Sequence, residues 1–82
     1  MRYNPRMNRG SETLVGSIER VTYHNADNGF AVLKTVVKGH RDLVTLVGHL
    51  AFAIPGEFFE ANGRWVVDRD HGQQFNWFVD MD

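Results

Sequence analysis

Residues 57–67 alternate without a break. Phe59, Ala61, Gly63, Trp65 and Val67 fall on one side, and Glu60, Asn62, Arg64 and, just beyond, Asp68 on the other. Successive side chains of a strand point to opposite faces, so the pattern describes a strand with one buried and one wet face. Asn62-Gly63 would ordinarily mark a tight hairpin turn. The alternation passes through the pair in phase, which predicts one long strand instead. Gly63 then occupies a core-facing position without a side chain, where a strand can coil sharply. Asp68-Arg69-Asp70-His71-Gly72 follows, with a turn at Asp70-His71-Gly72, and a second alternating run begins at Gln73. A long coiled strand that returns through a glycine turn is what a small closed barrel requires.

The rest of the chain reads as strand and turn. Thr13–His24 is the first strand, bent at Gly16, and Asn25–Gly29 is a turn cluster. Phe30–Lys38 is the second strand, Gly39–Asp42 a turn, and Leu43–His49 the third strand. Residues 50–56 have no helical period and close on Pro55-Gly56, a turn signal. The fourth strand starts at Glu57, and the fifth runs from Gln73 to Val79 with Phe75, Trp77 and Val79 inward. Residues 1–12 are polar and without period, and are expected to form a disordered arm ahead of a barrel domain at 13–82. The chain ends just after the last strand, which fits a domain belonging to a longer protein.

The fold class is therefore all-β: a small five-stranded barrel. An SH3-like barrel and an OB-like barrel both satisfy this strand count. A long bent first strand, a three-strand meander and an irregular connection before strands four and five favour the OB form. A short loop over residues 50–56 then stands in place of the usual helix between strands three and four.

Composition removes several classes of function. The 82 residues contain no cysteine, so disulfides and zinc–thiolate sites are excluded and nothing indicates an oxidising compartment. No apolar run approaches the roughly 20 residues of a membrane span, and the arginines of the first twelve residues precede no hydrophobic segment of a signal peptide. A cytoplasmic location with no membrane partner is expected. The net charge of −1 opposes a strong general grip on nucleic acid, so any cationic surface must be local.

A family resemblance lies in residues 16–25 (GSIERVTYHN) and 28–33 (NGFAVL), continuing through Val47-Gly48-His49-Leu50, Pro55-Gly56-Glu57, Gly63-Arg64-Trp65 and residues 71–75 (HGQQF). Over about residues 14–79 the chain resembles the N-terminal OB-like domain of RecD-like (RecD/TraA family) superfamily 1 DNA helicases. The resemblance implies an accessory domain of an ATP-dependent helicase of bacterial DNA repair and recombination. The chain has no phosphate-cradling Gly-rich loop with Lys and Ser/Thr. ATP and magnesium are accordingly expected only in the motor domains, and no cofactor or catalysis in this segment.

Four histidines, His24, His40, His49 and His71, lie in or beside different turns and lack metal-ligand spacing, so no metal site is expected. Asp70 and His71 read as shapers of their turn. No serine or threonine is placed beside a base as a nucleophile would be.

Nucleic-acid binding is the strongest functional reading. OB barrels bind single strands across strands two and three and between the first and last hairpin loops. They combine cations with aromatic platforms on which bases stack. If Ala31, Leu33, Thr35 and Val37 face the core, Phe30, Lys34 and Lys38 form an outward stripe, flanked by Tyr23, Arg69 and His71 from the two loops. Binding through that stripe would fall steeply with salt. Both faces of strand two are apolar, however. Val32 and Val36 equally suit docking on the helicase's own motor domains, on a protein partner or on a second copy of the chain. Phe58 and Phe78 fall out of core phase and are candidates for such a contact surface or for caps on the barrel.

Overall fold

The computed structural model describes residues 12–51, 53–70 and 72–77. It contains five strands: β1 (Glu12–His24), β2 (Phe30–Val37), β3 (Val44–His49), β4 (Phe58–Asp68) and β5 (Gly72–Trp77). They close into a barrel in the order β1-β2-β3-β5-β4, with β4 returning to β1. Every neighbouring pair is antiparallel except β3 and β5, which run parallel through Leu46 opposite Phe75 and Val47 opposite Asn76. This closure is that of the OB barrel rather than the SH3-like alternative. Among the described residues there is no helix, so none long and apolar enough to cross a membrane.

The long first strand serves two neighbours. Its first half pairs with β4 and its second with β2, and Gly16 belongs to both ladders, opposite Phe59 and Val37. A Cβ at Gly16 would collide with the Val36 carbonyl, so the bend placed there by sequence rests on a close backbone approach. Register shifts between Ile18 and Arg20 and between Val21 and Tyr23 add further coil to β1. Glu12, grouped by sequence with the arm, opens β1 opposite Gly63.

The core is formed by the inward sets of all five strands. Ala31, Leu33, Thr35 and Val37 of β2 are buried, as the alternation required, and Phe75 is fully enclosed at the centre. The Thr35 hydroxyl donates to the Val44 carbonyl at 2.9 Å, so this polar group in the core is satisfied. Trp65 meets Phe75 edge to face at 5.2 Å, and the His40 ring lies 5.5 Å from Trp65. Phe59, Trp65 and Trp77 are only partly buried and pack against the core.

Val67 departs from the sequence reading. It keeps the inward phase of β4 but is 78 % exposed. β1 pairs with β4 only from Phe58 to Gly63, so beyond Gly63 the strand pairs with β5 alone and Val67 extends past the core. Strand ends also shift: β2 stops at Val37, one residue before Lys38, and β3 starts at Val44. His71, Phe78 and Val79 lie outside the described residues.

Candidate nucleic-acid interface

With one set of β2 side chains committed to the core, Phe30, Val32 and Lys34 project outward. β3 presents Thr45, Val47 and His49 beside them, because Lys34 pairs with Thr45, Val32 with Val47 and Phe30 with His49. The outer surface of these strands forms a groove of about 400 Å³, with Val32 and Val47 on its floor. Thr22 and Tyr23 border it from β1, Asp68 and Gln74 from the β4–β5 hairpin.

One end of the groove is aromatic. Tyr23 lies 6.0 Å from Phe30, and Phe30 lies 5.6 Å from His49, so three rings from three strands form a row. Tyr23 is half exposed. The β1–β2 turn beneath this row is tightly bonded. Asn25 Oδ1 accepts from the Asp27 amide at 2.8 Å, Asn28 Oδ1 accepts from the Phe30 amide at 2.8 Å, and Gly29 turns at φ +80°. His24 Nε2–H donates to the Leu50 carbonyl at 3.1 Å, which ties the end of β1 to the end of β3.

Further along, Lys34 Nζ donates to Thr45 Oγ1 at 2.7 Å, so the ammonium is held over the groove. Two N–H donors remain on it. Asp68 and Gln74 add polar lining: Asp68 Oδ1 accepts from the Asp70 amide at 3.0 Å, and Gln74 Nε2 donates to Asn76 Oδ1 at 2.9 Å. Lys34 and Asp68 give this groove one lining charge of each sign.

The structure therefore brings Tyr23, Phe30 and Lys34 together and leaves two of their companions aside. Lys38 lies past the end of β2, where its amide donates to the Val15 carbonyl at 3.0 Å, and it does not line the groove. Four residues of strand separate it from Lys34, roughly 13 Å. Arg69 is exposed in the β4–β5 turn and likewise does not line the groove. His71 lies outside the described residues. Sequence reasoning missed Thr45, Asp68 and Gln74 as lining residues, and His49 as the ring partner of Phe30. The alternation of β3 could have placed Thr45 and His49 on the outer face, but nothing local to β4 or β5 points to β2. Among the described residues no three His, Asp or Glu side chains converge on a metal position.

A barrel closed by a parallel β3–β5 pair, with a groove open across β2 and β3 and bordered by the first and last hairpins, defines an OB-fold domain. The comparison with known families agrees and goes further. The family model of the OB-fold domain of the ATP-dependent DNA helicase YrrC matches residues 11–78, and the chain belongs to that family. No curated protein and no solved structure matches the chain significantly.

Proposed function

We propose that this domain contacts single-stranded DNA as an accessory part of a RecD-like helicase, in a larger chain whose motor holds the ATP and magnesium sites. The observation that carries the reading is that Tyr23 and Phe30 line one groove with Lys34, with His49 continuing the ring row beside Phe30. Bases stack on such rings whatever their identity, and the ammonium takes a backbone phosphate. Anisotropy of a labelled single-stranded oligonucleotide, titrated at low and physiological salt, tests it. Saturable binding lost on Phe30→Ala with Lys34→Glu supports the reading. Flat anisotropy to about 100 μM, weaker than ordinary non-specific binding, overturns it.

A second reading, docking on the motor domains or a protein partner, draws on a different surface. Phe58 is 83 % exposed and pairs with Ser17, which pairs in turn with Val36, itself 46 % exposed. Exposed apolar side chains grouped in this way are typical of contact surfaces. Loss of helicase assembly or of self-association on Phe58→Ser, with DNA binding intact, would separate this role from that of the groove.

A further inference from the structure

We propose that the groove recognises the 5-methyl group of thymine on a floor made by Val32 and Val47, and so takes thymine-containing single strands over uracil-containing ones. This rests on the single-strand reading above and adds which base the groove favours. Stacking on Tyr23 and Phe30 does not discriminate, since every base offers a π-face. Discrimination has to come from what a bound strand meets beside the rings.

Val32 and Val47 are directly opposed on the β2–β3 ladder, half-buried, and line the groove on the outer face. The core accounts for neither of them. Along β2 the outward order is Phe30, Val32, Lys34, so the valine pair sits two residues, about 7 Å, from the Phe30 platform and as far from Lys34. Lys34 Nζ, held by Thr45 Oγ1 at 2.7 Å, suits a phosphate. A strand stacked on Phe30 and bound through a phosphate at Lys34 therefore has to cross the valines. Whatever it lays there loses water, which is favourable for an apolar group and costly for an unpaired polar one. The C5 methyl of thymine is the one apolar substituent on the four bases, and its contact with apolar side chains is an established element of base readout. Uracil carries only hydrogen at that position and gains less.

The test compares labelled oligo-dT with oligo-dU of equal length, by anisotropy at mildly alkaline pH, on the full chain. The two strands differ by the methyl group alone, with the same backbone charge and the same hydrogen-bonding edge. Oligo-dT is expected to bind about fourfold more tightly, the effect of burying one methyl. Val32→Thr with Val47→Thr keeps the β-branched shape of both side chains but puts hydroxyls on the floor. It is expected to bring the ratio close to one, with the circular dichroism spectrum unchanged. Phe30→Ala is expected to weaken both strands and leave the ratio as it is. A second comparison on the parent chain, oligo-5-methyl-dC against oligo-dC, is expected to show the same gain and does not depend on any variant folding. Equal affinities for dT and dU, or a preference untouched by the double valine substitution, would overturn this inference and leave the single-strand reading standing. Failure to bind either strand would overturn both.

Discussion

Phe30 and His49 are a directly opposed pair on the β2–β3 ladder, with ring centroids 5.6 Å apart and planes inclined at 68°. Tyr23, 6.0 Å from Phe30 on the other side, extends the pair to β1. Neighbouring strands lie about 4.8 Å apart, so a row of this kind spans three strands. It forms on the outer face because the inner face of β2 is fully used by Ala31, Leu33, Thr35 and Val37.

Truncating the centre of that row should separate binding from folding. Phe30 is partly exposed and outside the buried core, so Phe30→Ala is expected to leave the unfolding midpoint nearly unchanged. Loss of one stacking platform should weaken single-strand binding by about 1–3 kcal/mol, read by anisotropy alongside thermal unfolding.

The salt dependence should be shallow, contrary to what the sequence alone led one to expect. Lys34 is the cation lining the groove, and each phosphate neutralised on a single strand adds about −0.7 to the slope of log K against log salt. A slope near −1 is expected across a salt titration. Lys34→Gln should flatten it, while Lys38→Gln should leave it unchanged.

Two glycines should resist substitution for different reasons. A Cβ at Gly63 would overlap the Asn76 carbonyl and the Trp77 Cα, backbone atoms that cannot yield without opening the β4–β5 ladder. A Cβ at Gly48 would overlap the Trp77 ring. Gly63→Ala is expected to cost about 3 kcal/mol or more in urea denaturation, and Gly48→Ala about 1–3 kcal/mol. Only the second should shift tryptophan fluorescence while the barrel remains folded.

Phe75 and Val67 are both inward by alternation, but their burial is opposite, at 0 % and 78 % exposure. Phe75→Ala should cost about 3–5 kcal/mol, a large part of the stability of so small a domain. Val67→Ala should stay within about 0.5 kcal/mol. Parallel urea titrations distinguish the two.

The strands and their inward sets were legible in the sequence because they follow from a local period. A two-residue repeat assigns each side chain to a face, and turn chemistry at Asn25–Gly29 and at Asp70-His71-Gly72 ends each run. Gly16 and Gly63 announced the coiling for the same reason, as missing side chains within strong β patterns. Tyr23, Phe30 and Lys34 could be placed on the outer surface on that basis.

Period, however, carries no information about what lies across from a residue. That Phe30 faces His49, that Val67 extends past the core and that Lys38 falls short of the groove depend on register and strand length, which are set by packing between strands. Asp68 and Gln74 border the β2–β3 face only because β5 joins β3 in parallel through Leu46–Phe75 and Val47–Asn76, residues 29 apart in sequence. The chain encoded locally which side chains are buried and which are wet. Closing the barrel decided which of the wet ones share a groove, because that step pairs strands with no local signal for each other.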